Sequence, residues 1–161
     1  MVLQPNANLN ALNILLVDDD QNLAITLSHG LRKAMGKATS VVFCSSGSEA
    51  FARLATQSFD VVLSDFHMPC ISGLELLKKI RQDNRETNLV LITAYGTDTL
   101  EEEVHRLGFG YITKPFEMPI LIQSIHILIQ GKEMRGGTKG APQIVAQEGN
   151  ANSSHLMKDT T

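Results

Sequence analysis

Five polar residues, Asp18, Asp19, Asp65, Thr93 and Lys114, stand where apolar runs end, and together they could handle a phosphoryl group. Ile14-Leu15-Leu16-Val17 runs into Asp18, Asp19 and Asp20, and Val61-Val62-Leu63-Ser64 closes on Asp65. Leu89-Val90-Leu91-Ile92 ends at Thr93, and Tyr111-Ile112-Thr113 ends at Lys114, just before Pro115. A carboxylate at the end of a buried strand is costly unless something nearby needs its charge. Three of them at one edge cannot all stay ionised without compensation. A hard divalent cation suits them best, since Mg2+ takes oxygen ligands and keeps several waters. Lys114 would add a second positive charge and Thr93 a hydroxyl donor. On this chemistry Asp65 attacks as a nucleophile and carries the group as an aspartyl phosphate. The two cations would neutralise charge on the transferring oxygens.

These residues meet only if the strands are parallel neighbours. The spacing predicts strands at 14–17, 41–44, 61–64, 89–93 and 111–113, alternating with helices at 22–35, 48–57, 72–82, 98–107 and 118–130. Leu23, Leu27 and Leu31 form one helical stripe, and Leu74, Leu77 and Ile80 another. Ala50, Phe51, Leu54 and Ala55 are expected inward on the second helix. Asp20 is expected to cap the first helix rather than bind metal. Ser72 with Glu75 forms a capping-box pattern at the third helix. Strands apolar on both faces predict a parallel sheet covered by helices on each side. The expected fold is α/β: a doubly wound, flavodoxin-like (βα)5 sheet of order 2-1-3-4-5. Ligands of such sheets sit at the carboxyl ends of the strands, between the first and third, where Asp18, Asp19 and Asp65 fall.

Composition narrows the remaining classes. The chain has 161 residues, enough for one domain with a proper core. Its net charge of −3 does not favour nucleic-acid binding through a basic surface. Residues 1–13 lack the basic flank and apolar stretch of a signal peptide. The most apolar segment, 118–130, is too short for a membrane span. A cytoplasmic protein is expected. Cys44 and Cys70 are read as free thiols in a reducing compartment. They are placed on strand ends two spacings apart, roughly 9.5 Å, too far for a bridge. Residues 1–11 are read as an N-terminal extension, 12–131 as the domain, and 132–161 as a flexible tail.

The segments Ile14-Leu15-Leu16-Val17-Asp18-Asp19-Asp20, Asp60-Val61-Val62-Leu63-Ser64-Asp65-Phe66-His67-Met68-Pro69, Leu91-Ile92-Thr93-Ala94 and Tyr111-Ile112-Thr113-Lys114-Pro115-Phe116 are weak signals singly and specific in this order. Over residues 12–131 the chain resembles the receiver domain of two-component response regulators, including chemotaxis regulators. The resemblance implies that Asp65 accepts a phosphoryl group from a sensor histidine kinase or a histidine phosphotransfer protein. It implies Mg2+ held by Asp19, Asp65 and the backbone carbonyl of His67, with Asp18 holding the metal's waters. Thr93 and Lys114 would contact the phosphoryl oxygens, Tyr111 would be the aromatic switch residue, and Lys114-Pro115 would be a cis peptide. Phosphorylation would draw Thr93 toward Asp65, let Tyr111 turn inward, and remodel a protein-binding surface. The chain departs from the family pattern at Cys70, where a glycine is usual; Gly73 is kept.

Three versions of this function stay open: a stand-alone regulator acting on a protein target, a phosphorelay intermediate, and the regulatory part of a larger transcription factor. The downstream target is not named by the sequence. An aspartyl-phosphate phosphatase would need an Asp two residues past the nucleophile, where His67 stands. The chain is therefore not expected to be an enzyme beyond its own phosphoryl transfer and dephosphorylation. Tyr111 is expected to be half-buried on its strand. His67 is expected to point to solvent over the site and, with Tyr95, to shield the acyl phosphate from water. His29, His105, His126 and His155 are read as structural or surface residues. The last helix is apolar on more than one face, which suits packing on the sheet plus a homodimer or partner contact.

Overall fold

The computed structural model describes residues 11–84 and 86–133, with the side chains of residues 132 and 133 left aside. Five strands alternate with five helices: β1 Asn13–Val17, α1 Gln21–Met35, β2 Ser40–Cys44, α2 Gly47–Leu54, β3 Val61–Asp65, α3 Gly73–Asp83, β4 Asn88–Thr93, α4 Asp98–Arg106, β5 Gly110–Thr113 and α5 Met118–Glu133. All strand pairs are parallel, in the order β2-β1-β3-β4-β5 that the sequence predicts.

Alternation along each strand divides the core between two faces. Ile14, Leu16, Val61, Leu63, Val90, Ile92 and Ile112 pack with Leu27 and Leu31 of α1 and Leu121, Ile125 and Leu128 of α5. Leu15, Val17, Val62, Leu89, Leu91 and Tyr111 point the other way, toward Ala50, Leu74, Leu77, Ile80 and Val104 on α2, α3 and α4. The strands are thus apolar on both faces because helices cover both.

Helix starts follow local chemistry. The Asp20 carboxylate accepts from the Asn22 and Leu23 amides, at 3.0 and 3.1 Å, and caps α1. Ser72 and Glu75 form the predicted capping box of α3. The Ser46 and Thr97 hydroxyls cap α2 and α4 by accepting from the Glu49 and Leu100 amides. Gly36 and Gly108 follow α1 and α4 with φ of 98° and 75°, a conformation that favours glycine.

Three expectations shift. α2 stops at Leu54 rather than residue 57, where the Thr56 amide bonds the Arg53 carbonyl three residues back and tightens the last turn; Ala55 is then exposed. α5 continues to Glu133, past the predicted end at 130. Cys70 lies in the loop after β3, exposed, and not on a strand end; Cys44 is buried on β2, and both are free. His29 is exposed, while His105 and His126 are partly buried. Except for residues 11, 132 and 133, the predicted extension and tail lie outside the described residues, as does His155. Among the described residues no helix is long and apolar enough to cross a membrane.

Candidate functional site

Sheet register brings the strand ends together. Val17 pairs with Ser64, so Asp18 and Asp65 leave β1 and β3 side by side. Thr93 pairs with Thr113, and the Lys114 amide donates to the Thr93 carbonyl at 2.7 Å, extending the ladder one residue. Asp18 and Asp65 are 3% and 6% exposed, while Asp19 faces solvent. Carboxylate oxygens of all three lie within 4.8 Å of one another. Lys114 Nζ donates to Asp65 Oδ1 at 2.7 Å and reaches Asp18 Oδ2 at 3.4 Å. The Lys114-Pro115 peptide is cis, as the resemblance implies.

Backbone amides fix the remaining carboxylate oxygens. Asp18 Oδ1 accepts from the Asp20 amide and Asp65 Oδ2 from the His67 amide, each at 2.8 Å. Burial raises the Asp18 pKa above the ordinary 3.8, against the Asp20 hydrogen bond and the Lys114 charge, which lower it. For Lys114, burial acts to lower the pKa, but the neighbouring Asp65 and Asp18 together outweigh it and the net shift is upward. One lysine thus faces three carboxylates, an excess of negative charge with an all-oxygen donor set. That donor set fits a hard divalent cation.

Thr93 and Tyr111 differ from the simplest expectation. The buried Thr93 hydroxyl donates to the Tyr95 carbonyl at 3.3 Å and accepts from the Tyr95 amide at 3.1 Å. It is tied to the β4–α4 loop rather than to Asp65. Tyr111, expected half-buried, is only 6% exposed, with its ring already turned into the apolar layer beside α4. Strand alternation explains this: Tyr111 falls on the same face as Leu89 and Leu91. The His67 ring is exposed and meets Tyr95 edge-on, with ring centres 5.5 Å apart.

Two positions after β3 carry geometry that residue types alone do not show. A Cβ at Gly73 would collide with the Asp65 carbonyl oxygen, so this glycine lets the start of α3 close on the end of β3. Cys70 holds φ of 71°, in the left-handed region that favours glycine. Cys70→Gly is therefore expected to stabilise the fold by about 0.5 kcal/mol, the relief of strain less the greater freedom of glycine in the unfolded chain. Urea unfolding of the two proteins measures it.

The family profile described as "Response regulator receiver domain" matches residues 14–126. The chain belongs to the receiver-domain family of response regulators. Among similar proteins is the uncharacterized transcriptional regulatory protein YkoG of Bacillus subtilis, 32% identical over 130 residues, covering 79% of this chain and 53% of that protein. The BeF3-activated receiver domain of DrrB superimposes with a TM-score of 0.66 at 26% identity, covering 74% of this chain and 98% of that one. Chemotaxis protein CheY4 of Vibrio cholerae gives 0.65 at 27% identity, covering 72% and 97%. The chain spans about half the length of the curated relatives it matches. Receivers are signalling domains that switch on phosphorylation, bind Mg2+ at an acidic pocket, and interact with histidine kinases and downstream targets.

Proposed function

We propose that Asp65 is the phosphoacceptor of this receiver, and that Asp18, Asp19, Thr93, Lys114 and Tyr111 serve it. The observation carrying this reading is the convergence of three strand-end carboxylates on one lysine, with Asp65 bonded to Lys114 at 2.7 Å. An Asp65 carboxylate oxygen attacks the phosphorus of a phosphohistidine on a sensor kinase or phosphotransfer protein. The P–N bond breaks, its electron pair stays on the imidazole, and that ring takes up a proton as it leaves. Mg2+, held by Asp19, Asp65 and the His67 carbonyl with Asp18 on its waters, would neutralise charge on the transferring oxygens. Lys114 shifts from Asp65 Oδ1 to a phosphoryl oxygen and keeps a cation beside the new charge. To donate to the phosphoryl group, the Thr93 hydroxyl must release the Tyr95 carbonyl. That release loosens the β4–α4 loop, and Tyr111 beneath it reads the change out to the surface of α4, β5 and α5. Phosphorylation need only bias two states that already interconvert.

A regulatory role within a longer transcriptional regulator is the second reading, favoured by relatives named as such that are about twice the chain's matched length. A stand-alone regulator and a relay intermediate are told apart from it by what the phosphorylated surface captures. A homodimer through α5 belongs to the same proposal, because Ile120 and Ile127 stay only partly buried outside the sheet-facing stripe. Free Cys44 and Cys70 suit a cytoplasmic setting.

Beryllofluoride, a phosphoryl mimic, tests the reading. A saturable, Mg2+-dependent rise in melting temperature is expected for the native chain and none for Asp65→Ala; binding that survives Asp65→Ala overturns it. The edge-on contact of His67 and Tyr95 supports a water-excluding cover. His67→Ala and Tyr95→Ala are each expected to speed loss of phosphate several-fold, followed by the decay of radiolabelled protein.

A further inference from the structure

Gly96 is a glycine for reasons of space. Gly36 and Gly108 hold positive φ with nothing near an added Cβ, so their backbones demand glycine. Gly96 is the reverse: its φ is not positive, yet a Cβ there would lie 2.6 Å from Tyr111 Oη and 2.9 Å from Thr113 Cγ2. Tyr111 and Thr113 are two apart on β5 and share a face, so both press on the same loop residue. The loop cannot simply step back, because the Thr93 hydroxyl holds Tyr95, the residue before Gly96, by both its amide and its carbonyl. The Tyr111 hydroxyl is buried against this glycine and finds no hydrogen-bond partner among the described residues. A buried hydroxyl without a partner is unfavourable, so shape, rather than polar bonding, holds the ring inward.

We propose that Gly96 is the positioning residue of the switch: its missing side chain admits the Tyr111 ring to the inward position, and any side chain there drives the ring out. This rests on the reading of Tyr111 as the readout of Asp65. The atom a new Cβ would strike hardest, Tyr111 Oη, is the far end of a side chain able to turn about χ1. Swinging Tyr111 outward is therefore the least costly response to Gly96→Ala. If phosphorylation favours the inward ring, linkage requires that Gly96→Ala weaken the phosphoryl mimic as well.

Nitration by tetranitromethane, mapped by peptide mass, follows the ring directly, with Tyr95 (74% exposed) as the internal standard. In the native chain Tyr111 is expected to be protected, and in Gly96→Ala to react several-fold faster relative to Tyr95. Beryllofluoride with Mg2+ is expected to bind Gly96→Ala about fivefold more weakly or worse. Gly96→Ala/Tyr111→Phe lacks the struck oxygen, and the next ring atom would sit at 3.7 Å; it is expected to regain most of the lost melting temperature, and Thr113→Ser to restore the rest. A folded Gly96→Ala with Tyr111 still protected overturns the proposal, as does native affinity for beryllofluoride in that variant. If Gly96→Ala does not fold, failure of Tyr111→Phe to restore folding overturns it equally. Should the native chain itself ignore beryllofluoride, the phosphoacceptor reading falls, while nitration and melting still decide the contact.

Discussion

Asp65→Asn is expected to lose Mg2+-dependent phosphoryl uptake from acetyl phosphate by about 10³-fold or more, while the fold survives. The amide oxygen of Asn can still accept from the His67 amide, as Asp65 Oδ2 does now at 2.8 Å. It cannot act as a nucleophile, and no other carboxylate at the site shares the Asp65 position on β3 between β1 and β4. The loss is therefore one of chemistry, with the scale of a deleted nucleophile. Mg2+ affinity falls as well, because one of the three clustered carboxylates is gone. Radiolabel incorporation and a Mg2+ titration of the same variant separate the two effects.

Lys114→Met has the second large effect, and it acts on both rate and stability. Transfer is expected to slow by about 10²- to 10³-fold, the usual scale for removing a group that stabilises developing charge. Stability at neutral pH drops by about 1–3 kcal/mol, less than for a fully buried pair because the lysine side chain is 23% exposed. The pH dependence has a definite sign. Lys114 binds its proton more tightly in the fold, so its contribution is fully present below its ordinary 10.5 and vanishes as pH rises through the higher folded value. Asp18, with burial as the main cause, also holds its proton more tightly in the fold than at the ordinary 3.8. Ionising Asp18 therefore costs stability, and removing Lys114 increases that cost. The deficit of Lys114→Met should be largest near neutral pH and shrink in acid as Asp18 takes up its proton. Added Mg2+ should restore more melting temperature to this variant than to the native chain. Thermal melts across pH, with and without Mg2+, measure each part.

Much of the fold was legible because its signals are local. Apolar runs of four or five residues marked the strands, and Asp20, Ser72 and Glu75 marked helix starts by chemistry that works within one turn. The doubly wound order then placed Asp18, Asp19, Asp65 and Lys114 at one edge. The parts that sequence could not supply depend on contacts between distant segments. Gly73 was visible only as a glycine that keeps the family pattern, yet its importance is the approach of α3 to the Asp65 carbonyl. Gly96 carries no local signal that sets it apart; its importance lies in the Tyr111 hydroxyl, brought by the fold within 2.6 Å of where a Cβ would stand. Tyr111 was expected half-buried because short edge strands often are; closure of α4 and its preceding loop over β5 buries it instead. Thr93 closes β4 as the apolar run predicts, but only the loop shows that its hydroxyl is already occupied by Tyr95. The departure at Cys70 was visible as a residue type, and φ of 71° shows why glycine is usual there.

The most direct test of the phosphoacceptor is to find the acyl phosphate. The chain is incubated with Mg2+ and acetyl phosphate, reduced with borohydride, which converts an acyl phosphate to the alcohol, and sequenced by tandem mass spectrometry. Modification at position 65 alone, dependent on Mg2+ and absent from Asp65→Asn, is the expected result. Modification at another carboxylate, or none in the native chain under conditions that label a known receiver, contradicts the account.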